Sequence, residues 1–352
     1  MAKCFITKLK SVVENTDLPK INELRIHISK VTSPSAWTQG ITLLANSEVK
    51  LSIIGDGYFT NESLSTNEGK EKTIPSGSET IFYVSNGDYS ISVLGKYSLT
   101  KIFFVDEYKD GVRDNKSMDL DSISYSRNLT VLDVSNKVDG DLSSLARCTA
   151  LQYLSLPSSD VTGDLSNLKS MQNMVHLALN SQKTVGDLSA VFEMKDLEYL
   201  YLTCLTGDFS ALASLSKLKT INITLGSEVA DIASISSLAQ LEELSLNSPK
   251  ASGDISKIPA KCSYISLDWV KSTEFTWSDR PSSSSIFGIS GSPVINNIDK
   301  MLQDMSSCVS FKTSSTPSWK SVISATGTRT SASDAAVQTL QSKGYTVLIT
   351  PA

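Results

Sequence analysis

The 352-residue sequence predicts a mainly β fold with short helices. An N-terminal β-sandwich-like domain leads into a repeat solenoid that ends in a C-terminal helix–strand cap. Three observations carry this. A phrase of Gly, Asp, an apolar residue and Ser returns as GDLSSL from Gly140, GDLSNL from Gly163, GDLSAV from Gly186, GDFSAL from Gly207 and GDISKI from Gly253, with ADIASI from Ala230 as a degenerate copy. Beside each copy stands an apolar-x-x-apolar-x-apolar pattern, stepping by 21 to 23 residues. Residues 1–96 lack that period and alternate as strands do.

In the head, Lys50–Ile54, Thr80–Val84 and Tyr89–Val93 alternate apolar and polar residues, which predicts antiparallel strands. Asp56-Gly57 and Asn86-Gly87 supply turn signals between them. The stretch Thr60–Lys72 reads as a polar surface loop. Leu99/Ile102/Phe104 reads as a first repeat, followed by an insertion running roughly from Asp106 to Ser117. Strands are then expected at Leu129/Leu132/Val134, Leu151/Leu154/Leu156, Met174/Leu177/Leu179, Leu197/Leu200/Leu202, Leu218/Ile221/Ile223 and Leu241/Leu244/Leu246. The spacing continues through Cys262/Ile265/Leu267, Ser284/Phe287/Ile289 and Ser306/Val309/Phe311, while the Gly-Asp phrase decays to FTWS and NNID. This makes about ten strands side by side, a quasi-one-dimensional array. Ser331–Ser342 reads as a short helix with Ala336, Val337 and Leu340 on one face, ended by Gly344 and followed by a strand at Tyr345–Ile349. A helix there is expected to blunt the open sheet edge. The division is therefore 1–96 for the head and 97–352 for the solenoid, with the cap from about 320.

The LxxLxL cores and the stretch LTGDFSALASLSKLKTINI from Leu205 resemble leucine-rich repeats of the plant-type and bacterial kinds. That resemblance implies that the variable residues inside and after LxxLxL face the concave side, where partners bind. One such column holds Val131, Tyr153, His176, Tyr199, Thr220, Glu243 and Tyr264. The next outward column holds Asp133, Ser155, Ala178, Tyr201, Asn222, Ser245 and Ser266. Tyr153, His176, Tyr199, Tyr201 and Tyr264 are the candidate ligand-binding residues, because Tyr combines an apolar plane with a polar tip. Strand surfaces also favour Tyr for its own sake, so plain sheet decoration competes with binding.

The Gly-Asp phrase admits two readings. Stacked, Asp141, Asp164, Asp187, Asp208, Asp231 and Asp254 form a carboxylate ladder of the kind that collects calcium. Alternatively each is a corner, with Gly at positive φ, Asp accepting an amide two residues on, and the apolar residue inward. The phrase lacks the alternating oxygen ligands of calcium-binding repeats, which favours the corner.

Other classes are disfavoured. Against 37 acidic side chains stand 32 basic ones, for a net charge of −5 and no basic block, so no nucleic-acid footprint is present. Cys4, Cys148, Cys204, Cys262 and Cys308 are scattered without CxxC spacing, which predicts reduced thiols and neither a disulfide framework nor a zinc site. His27 and His176 have no metal-spaced partner. No cofactor or metal is expected, and no GxSxG, HExxH, P-loop or GxGxxG phrase points to an enzyme. The repeated Ser143, Ser166, Ser189, Ser210 and Ser256 follow from stacking, not from a lone activated nucleophile. The N-terminal stretch has a basic start without an apolar run of signal-peptide length, and no run is long enough to span a membrane. The triplets at Asn61, Asn128 and Asn222 match glycosylation sequons and read as chance.

More narrowly, the opening KCFITKLKSVVENTDLPKINELRIHI, the phrases SIIGDGYFTN and YVSNGDYSISV, and the ending SASDAAVQTLQSKGYTV are similar to leucine-rich-repeat proteins encoded by gut Bacteroidales and their crAss-like phages. This resemblance implies a non-catalytic virion component, a fibre or decoration on head or tail. Its head docks to the particle and its repeats project or bind a surface. The expected partners are virion or other structural proteins and a host surface protein or glycan, with no nucleic acid and no membrane; self-association stays open. A cell-surface adhesin of a gut bacterium and an intracellular adaptor are the alternatives.

Overall fold

The computed structural model describes residues 23–351 except 32–39, 46–48, 56–58, 62–63, 67–70, 75, 78, 85–86, 95–98, 105–114, 135–136, 158, 227, 268–273 and 311. The chain is mainly β, with a long parallel sheet and few, short helices. Each LxxLxL core becomes an inner strand, because alternation sends its leucines inward and the residues between them outward. Leu132, Leu154, Leu177, Leu200, Ile221, Leu244 and Ile265 are all fully buried. They form one rung of a continuous core, joined in parallel register from Leu132↔Leu154 through Leu244↔Ile265. Burying each such side chain stabilises the fold by about 1.5–3 kcal/mol. The first turn is Leu99–Phe104, paired in parallel with Val131–Val134, as its spacing predicts.

The Gly-Asp phrase is a corner. Asp141 accepts the Ser143 amide at 2.9 Å, Asp164 the Ser166 amide at 2.8 Å, and Asp254 the Ser256 amide at 2.9 Å. Each Asp thus caps one turn of 3-10 helix whose apolar residues point inward, as Leu142 and Leu145 do. The preceding glycine is required twice over at Gly207. Its φ is +107°, and a Cβ would sit 2.6 Å from the Asp187 carboxylate of the previous turn. Successive corners therefore touch through glycine. Asp119 heads one further corner, Leu120–Ile123, where Met118 stands in place of Gly.

Beyond Ile258 the array departs from the expected spacing. Residues 284–289 do supply the next strand, Gly288–Ser290, paired with Tyr264–Ser266. The expected strand at Ser306/Val309/Phe311 does not form. Val309 makes only an isolated bridge with Ser285, and Phe311 lies outside the described residues. A helix, Ile298–Ser307, occupies that stretch and buries Ile298, Met301, Leu302 and Met305 on one face. The sheet resumes at Val322–Thr326, where Ile323 pairs with Ile289. Between them, residues 318–321 form a 3-10 turn against the Gly288 strand.

The cap forms at Asp334–Ser342 and Thr346–Thr350, with Ala336 and Leu340 buried. The helix packs on both the Ile298–Ser307 helix and the Thr346–Thr350 strand, which pairs only with Val322–Thr326 among the described residues.

In the head, Glu23–Val31 lies between Gly87–Leu94 and Asn115–Asp119, all antiparallel to it. Gly40–Ala45 pairs antiparallel with both Glu79–Val84 and Leu99–Phe104, so a head strand continues the solenoid sheet. The stretch Thr60–Lys72 is not a plain loop: Phe59–Asn61 and Leu64–Thr66 pair as a small hairpin, and Glu71–Ile74 pairs with Val49–Gly55. The strands flanking each turn phrase, Val49–Gly55 with Phe59–Asn61 and Glu79–Val84 with Gly87–Leu94, lie in different sheets, so neither phrase closes a hairpin. The sandwich packing expected of residues 1–96, Asp56, Gly57 and Asn86, the His27 side chain, Cys4 and most of the Asp106–Ser117 insertion lie outside the described residues.

Candidate concave binding face

Parallel register aligns the two variable columns. Val131, Tyr153, His176, Tyr199, Thr220, Glu243 and Tyr264 are paired in sequence along the sheet. So are Asp133, Ser155, Ala178, Tyr201, Asn222, Ser245 and Ser266.

The structure brings three of the candidate residues into one stack. The Tyr153 and His176 rings lie 4.1 Å apart and 10° from parallel; His176 and Tyr199 lie 4.2 Å apart and 2° from parallel. Those separations are shorter than the roughly 4.8 Å between neighbouring strands. The three rings therefore lean together across neighbouring strands. Tyr201 stands beside the stack in the second column, between Ala178 and Asn222. Tyr264 joins another group. Thr220 and Glu243 separate it from Tyr199, its ring packs edge-on against Trp319 at 4.8 Å, and its hydroxyl donates to Ser290 Oγ at 2.9 Å.

Stacking determines what the surface offers. Both faces of His176 are covered by tyrosine, so an incoming group meets only the edge of that ring. Burial between the tyrosines pushes the His176 pKa down to about 4, so the imidazole is neutral at pH 7. Burial also raises the Tyr153 and Tyr199 phenols, helped by the Asp133 charge at Tyr153 and by Tyr201 and Glu243 at Tyr199. Asp133 is itself raised by burial, against which a hydrogen bond from Ser155 works.

At the other end, the chain folds over its own sheet. Lys320 pairs with Glu243, and a Cβ on Gly288 would lie 2.3 Å from the Lys320 carbonyl oxygen. Glycine at 288 thus admits the 318–321 turn to the concave side. Trp319, 51% exposed, and Lys320 belong to this face and were missed in the sequence, where they sit outside every repeat. Pro317 marks a break in the chain but not its direction.

No group of three or more His, Cys, Asp or Glu side chains among the described residues is placed to hold a metal ion. No helix among them is long and apolar enough to cross a membrane.

No protein-family model matches the chain, and no curated protein does. Solved structures do. An internalin F from Listeria monocytogenes is 18% identical, with a TM-score of 0.42 over 74% of this chain and 85% of that one. An internalin C2 from the same species is 20% identical, with a TM-score of 0.34 over 52% and 73%. A TDR receptor is 16% identical, with a TM-score of 0.38 over 66% and 40%.

Proposed function

We propose that this chain is a non-catalytic binding protein whose concave face holds a protein partner or surface. One observation carries the reading: the Tyr153–His176–Tyr199 stack, partly exposed and in register on a parallel sheet. Ordering those rings in the fold lowers the entropy lost when a partner arrives, and Tyr supplies much contact area with few rotatable bonds. In this reading residues 1–96 are the docking domain and residues 97–352 the presenting solenoid, with Tyr153, His176, Tyr199, Tyr201 and Tyr264 as contact residues.

The finer placement is a phage particle, as a fibre or decoration, and the resemblance to crAss-like phage proteins supports it. Mass spectrometry of purified particles tests it: the chain among the virion proteins upholds it, and its absence from particles overturns it. Binding is tested by adding fluorescently labelled protein to intact Bacteroidales cells. Tyr201→Ala is the informative variant, because Tyr201 lies outside the ring stack. Reduced binding at an unchanged melting temperature is expected; undiminished binding overturns the role of this face.

A further inference from the structure

The ring ladder stops one step before a place shaped for another flat group. His176 covers one face of Tyr199. On the other side the column continues with Thr220, whose short side chain ends below ring height, and then Glu243. Two strand steps, about 9.5 Å, separate Tyr199 from Glu243 along the column. The ladder itself shows that a stacked planar group takes 4.1 to 4.2 Å. One more flat group therefore fits above Thr220 with Glu243 still in reach.

The chemistry around that slot favours a cation. The electron-rich face of Tyr199 attracts positive charge. Thr220 and Asn222 offer acceptor oxygens, and Glu243 offers the carboxylate oxygen that Lys320 does not engage. The lysines nearby are already engaged, Lys219 with Glu198 at 2.6 Å and Lys320 with Glu243. Lys320 is also a precedent, since it is a basic side chain delivered to Glu243 by a loop. The net charge of −5 points the same way.

We propose that the slot above Thr220, between the free face of Tyr199 and Glu243, receives an arginine side chain from a protein partner. Guanidinium is planar, stacks on aromatic faces and forks its donors towards a carboxylate, whereas an ammonium only supplies charge. This inference rests on the concave face being the binding surface.

The test titrates an acetylated, amidated Gly-Arg-Gly tripeptide into the full-length 15N-labelled protein and follows the amide signals of residues 220–222. A Gly-Lys-Gly tripeptide and methyl β-glucopyranoside are run beside it. The arginine peptide is expected to give saturable shifts and to bind about tenfold tighter than the lysine peptide. Thr220→Phe, which extends the stack into the slot, should abolish the shifts. Glu243→Gln, which also gives up the Lys320 ion pair, should weaken the arginine peptide about tenfold. The proposal is overturned if the arginine peptide causes no shifts, if it binds Thr220→Phe as well as the parent, or if the pyranoside alone binds there. A protein that keeps cell binding yet ignores the arginine peptide loses the slot and retains the concave-face function. Loss of that function is read separately from Tyr201→Ala.

Discussion

The turns between Gly140 and Ser256 and the turns after Ile258 extend one sheet with two kinds of corner. In the middle, each corner is a local device: an aspartate that accepts an amide two residues on, preceded by glycine except at Ala230. After Ile258, long-range contacts replace it. Arg280, 3% exposed, donates to the carbonyl oxygens of Ile258 at 2.8 Å and of Ser256 and Ser285 at 3.2 Å, with its guanidinium 4.6 Å from the Phe287 ring centre. Asp304, on the Ile298–Ser307 helix, accepts from Trp277 Nε1 at 2.9 Å. Local corners repeat because each is built from its own few residues and meets a copy of itself on the next turn. A clamp that joins distant segments has no period, and this is why the phrase vanishes while the sheet continues.

Removing one element from each region separates the two kinds. The largest effect is expected for Arg280→Met, which strands several buried carbonyls; urea denaturation should show a loss of about 3 kcal/mol. Gly207→Ala comes next, at about 2 kcal/mol, because it forces a side chain into the left-handed region and against Asp187. Asp141→Ala removes one cap and should cost about 1 kcal/mol. If Asp141→Ala cost as much as Arg280→Met, the distinction between local corners and a clamp would fail.

A further difference is in the pH dependence. The His176 pKa falls from 6.5 to about 4 on folding. As pH drops, the unfolded chain takes up this proton first, so stability should decline between pH 6.5 and about 4 and be indifferent to this group above pH 6.5. His176→Gln should flatten that part of the profile. A titration midpoint above 6.5 by NMR would mean that the flanking tyrosine faces stabilise the imidazolium more than burial disfavours it.

How much of this was legible follows from the same contrast. Period-2 strands, the buried leucines and the corner aspartates could be read from Leu132 to Ile265 because each turn repeats the last. The column holding Tyr153, His176 and Tyr199 was also legible, since register follows from the repeat. Their stacking was not, because ring orientation depends on how the tips converge. The Ile298–Ser307 helix had a signal, with Ile298, Met301, Leu302 and Met305 at helical spacing, but the 22-residue step pointed to a strand further on. Trp319 and Lys320 had none. Their position depends on a crossing segment that Gly288 admits, a contact between distant residues with no local signature.

The central claim is that the corners hold the solenoid together while the concave face recognises a partner. Asp141→Ala and Tyr201→Ala, compared in the same cell-binding assay with melting temperatures measured in parallel, test it most directly. Asp141→Ala should melt lower and bind as before, and Tyr201→Ala should melt unchanged and bind more weakly. The reverse outcome, weaker binding from the corner variant and a lower melting temperature from the tyrosine variant, would contradict the account.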